Sequence, residues 1–173
     1  LRMCTRIAHS QSVVETAEAI PAVLKDYEKN PAKYIMMPGN AIKRHPFVEE
    51  RTLKLQDFAE NCIFNTVEYG TSDEIGIITS GCSYQYVKEV MGDKASILKI
   101  GMPNPLPVNA IKDFASKVKK LYVIEELDPI IENHVKSLGI EVIGKEMFSI
   151  LGEFSQKTIA DAFGVKAKQS VSA

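Results

Sequence analysis

The chain has 173 residues, the size of one domain, which excludes a large multidomain enzyme. Apolar residues make up 45% and charged residues 25%, ordinary values for a globular protein that exclude full disorder. Lys and Arg number 21 against 22 Asp and Glu, giving a formal charge of −1. We therefore expect no nucleic-acid partner and no membrane partner.

The cysteine and histidine positions disfavour metal binding. Cys4, Cys62 and Cys82 are far apart and form no CxxC pair, which argues against zinc, an iron–sulfur cluster or a disulfide framework. No HExxH motif is present. This cysteine usage favours a reduced, cytoplasmic location.

The termini are typical of a piece of a longer protein. The chain begins at Leu1 instead of a methionine and ends in the small, polar residues of a low-information tail. We therefore expect further sequence outside the 173 residues.

Residues 13–66 are predicted to form an extended and helical N-terminal strap. Apolar residues at spacings of three and four over 13–28 predict a helix, which Pro21 must interrupt. Pro38 with Gly39 predicts a turn, and Pro46 suits the first turn of a helix that runs to about Ile63. We expect this strap to pack on the following domain through apolar side chains, which are Tyr34, Ile35, Phe58 and Cys62.

Residues 67–153 carry an alternating pattern of short apolar runs and amphipathic helices. Predicted strands cover 75–79, 96–100, 121–125 and 140–143, and predicted helices lie between them. This order indicates right-handed crossovers and a three-layer α/β/α fold with a mostly parallel sheet. Residues 154–173 are predicted to form a short helix, capped by Ser155 and ended by Gly164, and a mobile tail.

The loops at the carboxyl ends of the strands are where a ligand would bind in such a sheet. The first contains Ser80 and Gly81 at the start of a helix, where free N–H groups favour an anion. The loop lacks the GxGxxG and P-loop motifs, so a tight turn with a capping serine is the favoured interpretation. Cys82 is expected to be structural.

A second such loop contains three carboxylates, on Glu125, Glu126 and Asp128. Asp128 precedes a proline and is expected to cap the next helix. The two glutamates could act as general acid or base, bind a cation, or pair with a basic surface. We expect pairing or an interface role.

A basic patch lies outside the predicted α/β domain. Lys43, Arg44, His45 and Arg51 could hold a carboxylate or phosphate, or could face an acidic neighbour. Both interpretations stay open.

Four ordered motifs resemble one enzyme family. They are Thr5–Ser10, Tyr34–Pro38 with Lys43–Pro46, Gly76–Gly81 with Tyr84–Val90, and Tyr122–Pro129. Over roughly residues 1–155 the sequence resembles the middle of the alpha (large) subunit of indolepyruvate ferredoxin oxidoreductase. The resemblance implies thiamine diphosphate-dependent conversion of an aryl 2-oxo acid, coenzyme A and oxidised ferredoxin into acyl-CoA, CO2 and reduced ferredoxin.

The resemblance also implies a domain assignment. Residues 1–12, with Thr5 and Arg6, would end a pyrimidine-binding domain, and 67–153 would be a transketolase C-terminal-like domain. The thiamine diphosphate, Mg²⁺ and [4Fe–4S] sites would lie outside this chain, which would supply no catalytic, cofactor-binding or metal-binding residue. Ligand or interface candidates in this chain are Thr5, Arg6, Ser80, Gly81, Glu125 and Glu126.

Two functions therefore follow from the sequence. The first is a non-catalytic structural domain of this oxidoreductase, whose partners would be the other domains of the subunit, the small (beta) subunit, ferredoxin and coenzyme A. The alternative is an independent flavodoxin-like module that binds a nucleotide or coenzyme.

Overall fold

The structure is a computed structural model that describes residues 3 and 5–166. Its helices are α1 (Thr5–Ala8), α2 (Pro31–Tyr34), α3 (Pro38–Glu60), α4 (Gly81–Met91), α5 (Val108–Ala115), α6 (Ile130–Ser137) and α7 (Gln156–Phe163). Its strands are β1 (Thr66–Glu68), β2 (Ile75–Ser80), β3 (Ser96–Ile100) and β4 (Lys120–Ile124). Within the described residues, no helix is both long enough and apolar enough to span a bilayer.

The four strands form one sheet in the order β1-β3-β2-β4. Strand β2 is parallel to both β3 and β4, with Ile77 opposite Ile97 on one side and Tyr122 on the other. Strand β1 is antiparallel to β3 at the sheet edge. The mostly parallel sheet expected from the apolar runs is therefore confirmed.

Side chains alternate between two cores, one on each face of the sheet. One core contains Ile78, Leu98 and Val123 together with residues of α5 and α6. The other contains Ile77 and Ile97 together with residues of α4 and α7. Because both faces of the sheet are covered by helices, the three-layer α/β/α prediction is correct.

The predicted last strand over 140–143 is wrong. Its residues form a single parallel bridge, between Tyr122 and Ile143, although Val142 is buried. The antiparallel strand β1 was not predicted, because its three residues are exposed or half-buried and carry no apolar run. Apolar content alone indicates burial and does not guarantee a continuous ladder.

Three N-terminal predictions are also wrong. Residues 11–30 form no regular helix, and Pro38 with Gly39 lies in the first turn of α3 instead of forming a separate turn. Helix α3 begins at Pro38 instead of Pro46, and Pro46 lies inside it. A proline removes one N–H donor, and this long helix tolerates that loss at an exposed position.

The strap packs on the α/β domain through the end of α3 and the residues that follow it, where the Asn65 side chain accepts hydrogen bonds from the N–H groups of Gly101 and Met102. Ala59 and Cys62 are 0% and 3% exposed, whereas Tyr34, Ile35 and Phe58 are more than half exposed. The Glu60 carboxylate accepts hydrogen bonds from the backbone N–H groups of Asn109 (2.9 Å) and Ala110 (3.0 Å), at the start of α5. The expected packing of Tyr34, Ile35 and Phe58 on the domain is therefore wrong.

Helix α7 begins and ends as predicted. The Ser155 hydroxyl accepts a hydrogen bond from the Thr158 N–H at 3.2 Å, and Gly164 adopts a left-handed conformation with φ of 63°. The predicted mobile tail begins within the described part, and its residues 167–173 lie outside it.

Candidate functional site

A cleft of about 1020 Å³ lies at the carboxyl ends of β2 and β4. It brings together all six candidates named from the sequence, which are Thr5, Arg6, Ser80, Gly81, Glu125 and Glu126. The remaining lining residues include Cys82, Ser83, Leu127, Asp128, Ile130 and Glu153. Residues as far apart in sequence as Thr5 and Glu153 therefore share one surface, which we call the carboxyl-edge cleft.

Glu125 caps helix α6. Its side chain is buried, and its two carboxylate oxygens accept hydrogen bonds from the N–H groups of Ile131 (2.9 Å) and Glu132 (2.9 Å). Among the described hydrogen bonds, the carboxylate of Asp128 accepts none from this turn, so the predicted cap at Asp128 is wrong. A glutamate five residues before the helix is not a standard capping position, and sequence spacing could not have found it.

Burial also sets the ionisation of Glu125 and its neighbour Lys145. Burial raises the pKa of Glu125, and the hydrogen bonds from Glu132 and Ile131 oppose this rise without cancelling it. The Lys145 ammonium donates a hydrogen bond to the backbone carbonyl of Glu125, and burial lowers the pKa of Lys145. Both groups hold the strand β4–helix α6 loop in place.

Glu126 is held by contacts within the chain. Its carboxylate lies 3.2 Å from the Arg6 guanidinium and accepts a hydrogen bond from the Phe154 N–H at 2.7 Å. Arg6 also lies 3.2 Å from the Glu153 carboxylate and donates to the Tyr86 hydroxyl at 3.4 Å. The neighbouring Cys82 side chain, and then Glu126, raise the pKa of Arg6 above its ordinary value. Arg6 therefore connects α1 to two loops of the α/β domain.

The junction of β2 and α4, at Ser80 and Gly81, lacks the expected serine cap. Ser80 takes the N-cap position of α4, but its side chain makes no capping hydrogen bond within the described structure. Gly81 has φ of 55°, a left-handed conformation that favours glycine, although a Cβ at this position would contact no atom within 4 Å outside the adjacent backbone. Ser83 is buried beside the cleft, and Cys82 is half-buried with a free thiol.

The carboxyl-edge cleft is acidic. Of the described residues that line it, four carry carboxylates and one, Arg6, carries a positive charge. The carboxylates belong to Glu125, Glu126, Asp128 and Glu153. An anionic ligand would meet net repulsion here, whereas cationic groups would be attracted.

The basic patch divides into two parts. Lys43 and Arg44 line a second cleft of about 290 Å³ together with Lys33 and Phe47. His45 lies instead 3.5 Å from Glu49 on the exposed surface of α3.

The structure also bears on metal binding. Among residues 3 and 5–166, no group of three His, Cys, Asp or Glu side chains could hold a metal ion. A [4Fe–4S] cluster needs four cysteine ligands, and the sequence contains three cysteines. The residues of this chain therefore do not fit such a cluster.

The fold is similar to part of a 2-oxoacid:ferredoxin oxidoreductase. A solved structure of 2-oxoglutarate:ferredoxin oxidoreductase from Magnetococcus marinus, with 2-oxoglutarate, coenzyme A and succinyl-CoA bound, superimposes with a TM-score of 0.53. The match covers 75% of this chain and 23% of that chain at 24% identity. At this identity the similarity establishes the fold alone.

Curated relatives identify the particular subunit that the sequence resembles. Indolepyruvate oxidoreductase subunit IorA of Thermococcus kodakarensis is 31% identical over 94% of this chain, and that of Archaeoglobus fulgidus is 34% identical over 84%. The subunit IorA of Pyrococcus horikoshii is 30% identical over 94% of the chain. The resemblance to indolepyruvate ferredoxin oxidoreductase is therefore confirmed.

The matched region is a part of those relatives. The chain spans 28%, 24% and 28% of the lengths of the three IorA subunits. No protein-family model matches the chain.

Proposed function

We propose that the chain is a non-catalytic, structural part of a thiamine diphosphate-dependent indolepyruvate ferredoxin oxidoreductase. The whole enzyme would convert an aryl 2-oxo acid, coenzyme A and oxidised ferredoxin into acyl-CoA, CO2 and reduced ferredoxin. Within it, residues 67–153 would form a transketolase C-terminal-like domain, and residues 1–12 would end the pyrimidine-binding domain.

The similarity to IorA over 84–94% of the chain is the observation that carries this proposal. The cleft supports the structural role, because its candidate carboxylates already serve the fold. Glu125 caps α6, and Glu126 holds Arg6 and the Phe154 N–H. A general acid or base must reach the proton that it transfers, and the two hydrogen bonds of Glu125 engage both of its carboxylate oxygens.

The cofactors of the proposed enzyme would bind outside this chain. The donor set described above does not fit an iron–sulfur cluster, and we assign no thiamine diphosphate or Mg²⁺ ligand to any residue here. The other domains of the subunit, a small subunit, ferredoxin and coenzyme A would be the partners of the complete enzyme.

The test is the Glu126→Gln variant of the full-length subunit, assembled with its partner subunit. We expect it to weaken subunit assembly or coupling between domains before it changes the chemistry. Steady-state turnover with indolepyruvate, coenzyme A and ferredoxin is compared with assembly measured by size-exclusion chromatography. A large loss of turnover with assembly and cofactor content intact would show that Glu126 is catalytic. The purified 173-residue chain should show neither turnover nor the visible absorbance of bound iron.

The position of the cleft favours a second candidate, an independent nucleotide- or coenzyme-binding module. The chain passes from β2 to β3 on one side and then to β4 on the other, which places a topological switch point at the cleft. The four carboxylates oppose phosphate binding there. Calorimetric titration of the chain with coenzyme A, thiamine diphosphate and nucleotides separates the candidates, because saturable binding is expected from the module alone.

A further inference from the structure

The second cleft, of about 290 Å³, is lined by three positively charged side chains. Lys33 lines it from α2, and Lys43 and Arg44 line it from the first half of α3. No Asp or Glu is among the described residues that line it. The other lining residues are Asn30, Ala32, Asn40 and Phe47. We call this cleft the basic pocket.

Side-chain hydrogen bonds hold the backbone around the basic pocket. The Asn30 side chain caps α2 by accepting a hydrogen bond from the Lys33 N–H at 3.1 Å. The Asn40 side-chain amide, near the start of α3, donates to the Ile35 carbonyl at 2.9 Å. The connection between α2 and α3 is therefore tied, and the two helices that carry the three cations are held next to each other.

The positive charge of the basic pocket has no counter-charge among the described residues. None of the described ion pairs involves any of its three cations. Glu49 and Glu50, the first acidic residues of α3, lie instead 3.5 Å from His45 and 2.6 Å from Lys54. Three like charges around one cavity repel one another, and a bound anion offsets that repulsion.

Aromatic rings orient two of the cations without neutralising them. The Arg44 guanidinium lies 5.7 Å from the centroid of the Phe47 ring, and Arg44 is half-buried. The Lys33 ammonium lies 5.0 Å from the centroid of the Tyr34 ring. A cation–π contact positions a side chain and leaves its charge available to an anion.

We propose that the basic pocket binds the phosphate or diphosphate group of a small phosphorylated ligand. A phosphate group carries about two negative charges near neutral pH and has three acceptor oxygens, so one group can engage all three cations. A carboxylate offers a single charge and two oxygens. The Arg44 guanidinium has paired donors that match phosphate oxygens, and the two lysines supply point charges.

The basic pocket and the carboxyl-edge cleft differ in the ligands that they favour. Four carboxylates line the cleft and oppose an anion, whereas the described lining of the pocket contains none. The volume of the pocket is near the lower limit for small-molecule sites, roughly 300 Å³, which favours a small ligand. This inference does not depend on the proposed reaction, because it rests on the charges of α2 and α3.

Calorimetric titration of the 173-residue chain with inorganic pyrophosphate at constant ionic strength tests the proposal. We expect saturable binding of one pyrophosphate per chain, and acetate should bind at least about tenfold more weakly. Lys43→Gln with Arg44→Gln should raise the dissociation constant of pyrophosphate by about tenfold or more. Lys33→Gln should also raise it, because Lys33 lines the pocket from the other helix.

The matched control is Arg51→Gln with Lys54→Gln, which removes the same charge from α3 outside the basic pocket. We expect its dissociation constant to stay within about twofold of the wild-type value. Circular dichroism monitors folding, and Lys33→Gln decides the test if the double variant of the pocket unfolds. A wild-type chain without saturable binding would overturn the proposal. So would acetate binding as tight as that of pyrophosphate, or equal weakening in the pocket and control variants.

The same titration of the full-length subunit, assembled with its partner subunit, identifies what occupies the basic pocket in the complete protein. We expect pyrophosphate binding that Lys43→Gln with Arg44→Gln weakens. If the pocket variant does not change binding in the assembled protein, an acidic neighbour covers the pocket and the proposal fails. Nucleotide or coenzyme binding that persists in the pocket variant of the 173-residue chain belongs to the carboxyl-edge cleft, so the two sites are tested separately.

Discussion

The Arg6 guanidinium and the Glu126 carboxylate lie 3.2 Å apart although 120 residues separate them in sequence. The Phe154 N–H donates to the same carboxylate oxygen. This pair fixes the N-terminal turn α1 against the loop that follows β4. The side chains of both residues are 26% exposed, so solvent screens their attraction in part.

Replacing Glu126 in the isolated chain should therefore have a small effect on stability. We expect Glu126→Gln to lower the free energy of unfolding by less than about 1 kcal/mol, because the amide oxygen still accepts from Phe154. Glu126→Ala removes that acceptor from the buried Phe154 N–H and should cost about 1 to 3 kcal/mol. Urea denaturation of both variants measures the difference. Equal losses would contradict the assigned contact.

Capping of α6 by Glu125 predicts a specific order of effects. Glu125→Ala leaves the N–H groups of Ile131 and Glu132 without their acceptor and should cost about 1 to 3 kcal/mol. Asp128→Ala should change the free energy of unfolding by less than about 0.5 kcal/mol. Chemical denaturation of the Glu125→Ala and Asp128→Ala variants measures the two changes in the free energy of unfolding. The reverse order would restore Asp128 as the cap.

The raised pKa of Glu125 predicts a pH dependence of stability. A carboxyl with a raised folded-state pKa stabilises the fold below its ordinary value of 4.5, and that contribution is lost as the pH rises through the folded-state pKa. The stability of the wild-type chain relative to Glu125→Gln should therefore fall as the pH rises above 4.5. Unfolding in urea at a series of pH values measures this slope.

Glu68 supplies a control of opposite sign. Hydrogen bonds from Lys88 and then Tyr84 lower the pKa of Glu68. Its contribution is present above the ordinary value of 4.5 and is lost as the pH falls through the lowered folded-state pKa. The stability of the wild-type chain relative to Glu68→Gln should fall with acidification. Slopes of the same sign for Glu68→Gln and Glu125→Gln would contradict one of the two assignments.

The anchoring of α3 predicts that substitutions of Glu60 and Phe58, two residues apart, lower stability by different amounts. Glu60→Ala leaves the N–H groups of Asn109 and Ala110 without their carboxylate acceptor and should cost about 1 to 2 kcal/mol. Phe58 is 56% exposed, so Phe58→Ala should cost less than about 1 kcal/mol. Thermal melts of the two variants test this. A larger loss for Phe58→Ala would show that Phe58 packs on the domain after all.

The left-handed backbone at Leu127 predicts that side-chain shape matters there. Leu127→Gly removes the Cβ that is disfavoured at φ of 60° and should leave the free energy of unfolding within about 1 kcal/mol of wild type. The β-branched Leu127→Ile should be less stable than both wild type and Leu127→Gly. Because the Leu127 side chain is exposed, lost packing contributes little to either value. Denaturation midpoints of the two variants compare them, and a more stable Leu127→Ile would contradict the strained backbone.

Local patterns in the sequence were sufficient for the central sheet and for α7. The apolar run from Ile75 to Thr79, with Ser80 and Gly81 after it, predicts a strand buried on both faces, and β2 is that strand. Ser155 and Gly164 predict the two ends of α7 for reasons that involve only nearby backbone groups. Such features depend on neighbours within a few residues, and the sequence lists those neighbours directly.

Only the tertiary structure decided what the apolar faces and the carboxylates contact. Apolar periodicity over 13–28 and around Phe58 indicated surfaces to be covered, but periodicity carries no information about which element covers them. Asp128 has the residue type and position of a helix cap. The N–H groups of Ile131 and Glu132 nevertheless donate to the carboxylate of Glu125, which the turn through Leu127 brings to the start of α6. The partnership of Arg6 with Glu126 likewise depends on how distant loops meet at the carboxyl edge of the sheet. The free energy of each such contact is set by packing in three dimensions, which spacing along the chain does not encode.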